Sequence, residues 1–233
     1  MTDARPPAEL RRIADLAAAS LRDATAGEIL SWAGRTFGDR LVVASSMADT
    51  VLIDLAARHA PGVHVLFLDT GYHFPETIGT RDAVAATYPI TLVTVAPGQT
   101  VAEQDRSYGP QLYARDPDKC CALRKIAPLD AALRSYDAWV TGLRRDESPT
   151  RADTPVIDWD ERRGKVKISP LAGWTADDVA EYAARHGVLL NPLLSDGYLS
   201  IGCRPCTTRV EQGADPRSGR WTGRDKTECG LHG

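Results

Sequence analysis

The chain has 233 residues, 43% of them hydrophobic, which is enough apolar surface to build one domain with a buried core. Its formal net charge of −3 gives no sign of a nucleic-acid-binding protein, and none of its apolar segments reaches the ~18 residues that a membrane-spanning helix needs. Residues 1–7 do not show the basic residues followed by an apolar stretch that mark a secretory signal. We therefore expect a soluble cytoplasmic domain that binds neither a membrane nor a nucleic acid.

The N-terminal part of the chain predicts two amphipathic helices, at about residues 7–22 and 26–37, the second with a capping box formed by Thr25 and Glu28. Short apolar runs then alternate with helical patterns. The predicted strands are Leu41–Ala44, Val63–Leu68, Ile90–Val95 and Ala138–Thr141. The predicted helices between them span about residues 49–60, 75–88 and 118–135, the last broken before Pro128.

Strands that alternate with helices indicate an α/β fold, with an open, mostly parallel sheet flanked by helices. The segments Val156–Trp159 and Lys165–Ile168 predict an added hairpin, and Thr175–His186 predicts a further helix. Residues 187–233 show little periodicity and predict a loop-rich C-terminal appendage. The expected organisation is a single domain composed of N-terminal helices in 1–38 that pack on the core, a nucleotide-binding α/β core in 39–187 and a C-terminal segment in 188–233.

Five cysteines are the most informative residues of the chain. An odd number of them in a cytoplasmic protein argues against a disulfide framework. Four lie in two close pairs, Cys120 with Cys121 and Cys203 with Cys206, while Cys229 stands alone near the C-terminus. This division predicts four metal ligands and one reactive thiol.

The spacing of the two pairs bears on the kind of metal. Structural zinc usually takes both pairs of ligands from C-x-x-C turns. The side chains of adjacent cysteines on a helix point about 100° apart, which suits different corners of an iron–sulfur cubane better than a single ion. The spacing therefore favours a [4Fe–4S] cluster. Zinc, a thioredoxin-like redox pair at Cys203 and Cys206, and a set of inert buried cysteines remain as alternatives.

Polar loops follow three of the predicted strands, at the sheet edge where ligands of open α/β folds bind. Ser45–Thr50 forms a turn into a helix whose free N–H groups suit a phosphate. Asp69–Glu76 follows the second strand, and Gly142–Arg151 places three arginines where they can bind phosphate or sulfate oxygens. Neither a P-loop nor a dinucleotide fingerprint occurs. The loops together predict a nucleotide site with room for a further small anion.

These segments resemble the assimilatory sulfonucleotide reductases, specifically the cluster-containing adenylylsulfate (APS) reductases. The resemblance covers about residues 40–233 and is most specific in the cysteine pairs and in the tail Lys226–His232. It implies an adenine-nucleotide alpha-hydrolase-like, or PP-loop-like, fold. The turn Ser46–Ala48 departs from the glycine-rich turn of ATP-using pyrophosphatases, which fits a site that binds a nucleotide without splitting a pyrophosphate.

The resemblance implies reduction of adenosine 5′-phosphosulfate (APS) to sulfite and AMP, with thioredoxin or a glutaredoxin-like protein as reductant, through an S-sulfo intermediate on a mobile tail. The implied catalytic residues are Cys229, Lys125, His232 and Glu228. One [4Fe–4S] cluster per chain is expected on Cys120, Cys121, Cys203 and Cys206. The expected substrate-binding residues are Ser45, Ser46, Asp69, Thr70, Gly71, Arg144, Arg145, Arg151, Arg217 and Arg220. The resemblance also implies a preference for APS over its 3′-phosphorylated form (PAPS).

Two other functions compete with this prediction. A tRNA-thiolating enzyme of the pyrophosphatase type combines a similar fold with cysteines, but it would carry an intact glycine-rich loop and a strongly basic face, and this sequence has neither. A non-catalytic nucleotide-binding domain held together by zinc would explain the two cysteine pairs without using Cys229.

Overall fold

The computed structural model describes residues 4–211, 213–224 and 226–232. In this part of the chain six strands form one sheet, in the order β3-β2-β1-β4-β6-β5. The strands are β1 (Leu41–Ala44), β2 (His64–Leu68), β3 (Thr91–Val95), β4 (Ala138–Val140), β5 (Ile157–Asp160) and β6 (Lys165–Ile168). Neighbouring strands are parallel except β5 and β6, which form the predicted antiparallel hairpin. The predicted fold class is confirmed.

The helices are α1 (Pro7–Ser20), α2 (Ala26–Phe37), α3 (Val51–His59), α4 (Pro75–Thr87), α5 (Val101–Tyr108), α6 (Leu112–Arg115), α7 (Pro117–Cys121), α8 (Ala127–Leu133) and α9 (Ala176–His186). Capping boxes begin α2, α5 and α9, at Thr25, Thr100 and Thr175. The helices α5 and α6 were not predicted. Most of the residues in α5 are polar and it buries only Gln104, so it shows no apolar stripe.

The predicted break before Pro128 is wrong. The chain stays helical from α7 to α8 through a π-helical turn at Ala122–Ile126, in which the N–H of Ala127 donates to the carbonyl of Ala122. A proline lacks an N–H and clashes with the carbonyl four residues earlier in a regular α-helix. The wider π turn just before Pro128 accommodates it without ending the helix. As a result, Arg124 and Lys125 extend from the widened turn directly after the first cysteine pair.

Helices cover both faces of the sheet. Alternate residues of a strand point to opposite faces, so that Val43 and Val65 join the main core with α1, α2 and α3, while Val42 and Leu66 pack with α8. In the main core α1 packs against the β5–β6 hairpin. Among the described helices, none combines the length and apolar character needed to cross a bilayer.

The loop after β1 is fixed by the C-terminal segment. Met47 is fully buried in this loop with a left-handed backbone (φ +58°), which is rare for a residue with a side chain. The amide of Asn191 donates to the Met47 carbonyl (3.0 Å) and to Oγ1 of Thr77 (3.1 Å), and the hydroxyl of Thr50 donates to the carbonyl of Leu189. These buried hydrogen bonds hold the loop that forms one wall of the site.

Candidate active site

A cavity of about 320 Å³ lies at the carboxyl ends of β1, β2 and β4, the edge of the sheet where the topology predicts a ligand. The C-terminal segment closes it from the other side. The predicted site residues that line it are Ser45, Ser46, Thr70, Lys125, Arg144, Arg151, Cys203, Arg217, Arg220, Glu228, Cys229 and His232. The fold therefore brings residues that are up to 187 positions apart (45 to 232) into one cavity.

Three predicted substrate-binding residues do not line this cavity. Arg145 is exposed and donates to the carbonyl of Thr154 (2.9 Å). Asp69 accepts a hydrogen bond from the N–H of Gly71 (3.0 Å), and Gly71 has the positive φ of +72° that this tight turn requires. Both residues shape the loop that carries Thr70 instead of facing the cavity.

Two of the three arginines in the loop after β4, Arg144 and Arg151, are paired with carboxylates. Arg144 lies 3.4 Å from Glu147 and 3.9 Å from Asp49, while Arg151 forms an ion pair with Glu147. Burial raises the pKa of Asp49, and the charge of Arg144 opposes that rise. The sequence prediction overlooked both acids. Glu147 was detectable, because it lies three residues after Arg144 and four before Arg151.

His73, which the sequence analysis did not count among the site residues, also lines the cavity. Its Nε2 lies 2.8 Å from the carbonyl of Leu68, and burial lowers its pKa. The ring therefore holds the chain at the end of β2 as a neutral group. Nothing in its sequence neighbourhood distinguished a wall residue of the cavity from an ordinary core histidine.

Hydrogen bonds of Glu228 hold the C-terminal tail in the cavity. Its carboxylate accepts two hydrogen bonds from Arg151 (2.8 and 2.9 Å) and one from Arg217 (3.1 Å). Burial alone would raise the pKa of Glu228, but the hydrogen bonds and charges of the two arginines hold it below its ordinary value. Forked arginine–carboxylate pairs of this kind are strong and directional. The residue just before Cys229 is thus held as a charged group.

His232 fixes the tail on the other side of Cys229. Its ring stacks on the indole of Trp139 at a centroid distance of 5.6 Å and an interplanar angle of 3°, and its carbonyl accepts from Nζ of Lys167 (3.0 Å). Burial, reinforced by the charges of Lys167 and Arg151, holds the pKa of His232 well below its ordinary value. The imidazole is therefore neutral near pH 7.

Lys125 connects this cavity with a second, smaller one. It is half-buried and lines both cavities. Burial lowers the pKa of Lys125, but the negative charges that Cys203, Cys229 and Cys121 carry when ionised raise it above its ordinary value. The ammonium group is therefore protonated and faces the sulfur atoms of both cavities.

The second cavity is lined by all four paired cysteines, together with Arg124 and Lys125. None of the five cysteines forms a disulfide bond in the structure. Burial and the neighbouring thiols raise the pKa of Cys120 to about 12, so a positively charged group must bind before its thiolate is stable there. Within the described ranges, no three His, Cys, Asp or Glu side chains are arranged to hold a single metal ion. Four thiols around one cavity fit the ligand set of a cluster.

The sequence profile of the phosphoadenosine phosphosulfate reductase domain matches residues 40–209. The chain belongs to this reductase family. Within the family, a protein of Streptomyces coelicolor named adenosine 5′-phosphosulfate reductase is 64% identical over 229 residues, which cover 98% of this chain and 97% of that protein. The match spans the reductase core, the cysteine pairs and the tail.

Solved structures agree with membership of the reductase family. The phosphate complex of phosphoadenylyl-sulfate (PAPS) reductase from Candida auris is similar with a TM-score of 0.72 and 29% identity, covering 86% of this chain and 97% of that one. The FMN adenylyltransferase of Candida glabrata is similar with a TM-score of 0.55 and 13% identity, covering 93% of this chain and 73% of that one. The second likeness shows only that the reductase shares its nucleotide-binding fold with that enzyme.

The Glu228 contacts generate a prediction about the tail of the reductase. Glu228→Gln removes the negative charge from a fork of charge-assisted hydrogen bonds, which are worth about 1.5 kcal/mol or more each. We expect the tail to leave the cavity more often and Cys229 to react about tenfold faster with iodoacetamide. The rate is read by mass spectrometry on the tryptic peptide that begins at Thr227. Glu211→Gln removes an exposed acid of the same segment and is the matched control. Equal alkylation rates in the two variants would contradict the role of Glu228.

Proposed function

We propose that this protein reduces adenosine 5′-phosphosulfate to sulfite and AMP in assimilatory sulfate reduction. One observation carries the proposal: the unpaired thiol of Cys229 lies at the nucleotide-binding edge of the sheet, in the cavity that the half-buried Lys125 also lines. The name of the Streptomyces relative and the high identity to it support the same reaction. Cys229 and the contacts of its tail would have no comparable role in a nucleotide-binding domain held together by zinc or in a tRNA-thiolating enzyme.

The first step is attack of the Cys229 thiolate on the sulfur of the phosphosulfate. A bond forms between Sγ and that sulfur, and the bond from sulfur to the phosphate oxygen breaks, so that AMP leaves with the electron pair. The thiolate is the reactive form, and Lys125 lines the same cavity as Cys229. Glu228 and His232 position Cys229 from both sides. The enzyme is left with an S-sulfo group on Cys229.

The second step restores the thiol and needs a dithiol protein, thioredoxin or a glutaredoxin-like reductant. One of its thiolates attacks Sγ of Cys229, sulfite leaves, and a mixed disulfide forms. The second thiol then attacks that disulfide, which releases Cys229 and the oxidised reductant. Because Cys229 is half-exposed on a C-terminal tail, opening of the tail exposes the S-sulfo group to a protein partner.

The substrate is proposed to bind along the carboxyl ends of the strands. Ser45, Ser46 and Thr70 contact the adenosine and the α-phosphate from the loops after β1 and β2. The anionic end is bound by the cavity-lining arginines Arg144, Arg151, Arg217 and Arg220. Arg151 and Arg217 also hold Glu228, so the docked tail and the phosphosulfate share the same cations. Substrate binding and tail closure are coupled in this arrangement.

A [4Fe–4S] cluster is the proposed cofactor, held by Cys120, Cys121, Cys203 and Cys206. Its support is the all-thiol lining of the second cavity and the adjacency of the first two cysteines. When bound, the cluster supplies a fixed, polarisable charge beside Lys125. Residues 188–233 then act as the cluster-binding and catalytic segment of a single domain.

Replacement of the nucleophile tests the reaction. Cys229→Ser leaves every arginine of the cavity in place but replaces the thiolate with a hydroxyl that is not ionised near pH 7. We expect binding of APS, measured by calorimetry, to stay within a few-fold of wild type. Sulfite formation with thioredoxin in excess should fall below detection. Substantial sulfite release by this variant would remove Cys229 from the mechanism.

Iron binding tests the division of the cysteines into four ligands and one nucleophile. After anaerobic purification, we expect wild type and Cys229→Ser to contain four iron atoms and four acid-labile sulfides per chain, as the proposed [4Fe–4S] cluster requires. Cys121→Ala should lose both, and its thermal stability should fall because cluster binding and local folding are coupled. A full complement of iron in Cys121→Ala, or a zinc-loaded wild type, would contradict the proposed cofactor.

The charges of the cavity predict selectivity for APS over PAPS. Arg144 and Arg151 already face carboxylates. Two other cations, Arg115 and Lys119, do not line the cavity. Arg115 donates to the carbonyl of Pro110, and Lys119 lies over the ring of Tyr108. A 3′-phosphate left half-paired in a closed site should cost about a hundredfold in kcat/KM.

The measurement compares the specificity constants for APS and PAPS as sulfite released. Inhibition by AMP and by adenosine 3′,5′-bisphosphate serves as the control, since these compounds differ by the same phosphate and lack the sulfate. Equal constants for the two substrates would show that a basic side chain accommodates the 3′-phosphate.

A further inference from the structure

Arg124 is a buried cation whose hydrogen-bond partners are neutral. Its side chain extends from the π turn, and the residue is 3% exposed. Its guanidinium donates to the carbonyl of Thr70, to the carbonyl of Gln99 (3.2 Å) and to Oε1 of Gln104 (3.1 Å), and it lies 5.2 Å from the ring centre of Tyr72. Burying a full charge is costly unless an opposite charge lies nearby. These polar contacts orient the guanidinium without neutralising it.

The opposite charge is available in the cavity of the four cysteines, which Arg124 lines. Cys120 lies four residues before Arg124 in the same helical stretch and lines that cavity with it. The proposed reaction uses Lys125 but has no role for its neighbour Arg124, which does not line the substrate cavity. The geometry therefore directs the charge of Arg124 toward the cysteine site alone.

A second contact links Arg124 to another cysteine. Nε of Arg124 donates to the carbonyl of Thr70, and Oγ1 of Thr70 lies 3.2 Å from Sγ of Cys203. A Cβ on the next residue, Gly71, would lie 3.0 Å from Nη2 of Arg124, and the φ of +72° at Gly71 also disfavours a side chain. The turn is therefore shaped to admit the guanidinium. This explains Gly71 without any contact to the substrate.

We propose that Arg124 is a positioning residue of the cysteine site, where its guanidinium offsets thiolate charge near Cys120 and holds the Thr70 hydroxyl against Cys203. This inference rests on the proposed [4Fe–4S] cofactor. Reduction adds negative charge to a cluster, so a fixed cation nearby favours the reduced form and raises the reduction potential. The hydrogen bond from Nε of Arg124 to the carbonyl of Thr70 also keeps a cysteine ligand in place.

The test uses the full chain, purified anaerobically, with Arg124→Gln and Arg124→Lys. Arg115→Gln is the matched control, because Arg115 is an exposed arginine that donates to two backbone carbonyls, those of Tyr108 and Pro110. The readouts are iron and sulfide content, the rate at which a chelator bleaches the visible absorbance, and the midpoint potential of the cluster. None of them depends on turnover.

We expect Arg124→Gln to lower the midpoint potential and to bleach roughly ten- to a hundredfold faster than wild type, the range found when a residue supporting a metal ligand is lost. Arg124→Lys should retain a potential close to wild type and still bleach faster, since it keeps the charge but not the planar fork. In the double variant Arg124→Gln/Thr70→Val, the absorbance should bleach no faster than in the faster of the two single variants, because both substitutions act on one contact.

Two outcomes would overturn the inference in distinguishable ways. If wild type contains the cluster and Arg124→Gln matches Arg115→Gln in potential and bleaching rate, Arg124 has no role at the cysteine site. If wild type contains no iron or sulfide, the proposed cofactor itself is wrong and this inference falls with it. Additive effects of Arg124→Gln and Thr70→Val would overturn the contact through Thr70.

Discussion

The rest of the site depends on the interaction between the ammonium of the half-buried Lys125 and the sulfur atoms around it. Burial lowers the pKa of Lys125, but the negative charges that Cys203, Cys229 and Cys121 carry when ionised raise it. Lys125 lines both the cavity of the four paired cysteines and the cavity that contains Cys229. Two groups of cysteines that are distant in sequence are thereby coupled through one side chain. Its position comes from the π turn that allows the helix to pass Pro128.

The tail satisfies a related electrostatic constraint in the substrate cavity. Several arginines converge there, and without an anion their mutual repulsion would be unfavourable. Carboxylates of the cavity balance part of that charge, and Glu228 at the tail balances more of it. Glu228 lies next to the proposed nucleophile, so the group that neutralises the cavity also places Cys229 inside it. An incoming phosphosulfate meets arginines that are already oriented by hydrogen bonds.

Much of this arrangement could be predicted from the sequence because its signals are local. The predicted strands are confirmed with ends shifted by at most one residue, since short apolar runs define them. The two cysteine pairs, which the spacing separates from Cys229, line the second cavity together. Other features depend on neighbours that are distant in the chain. The placement of Arg145 outside the cavity, the acid Asp49 beside Arg144 and the stack of His232 on Trp139 arise from packing that no local pattern records. The burial of Arg124 could not be predicted either, because nothing in the sequence distinguishes a buried arginine from an exposed one.

The central claim is that one thiol, on the tail, receives the sulfo group. The most direct measurement is mass spectrometry of the protein after incubation with APS in the absence of any reductant, followed by digestion and addition of thioredoxin to a parallel sample. We predict one sulfo group per chain, on the peptide that contains Cys229, and its release as sulfite when thioredoxin is added. A sulfo group on Cys203 or Cys206, or sulfite production without any adduct on Cys229, would contradict it.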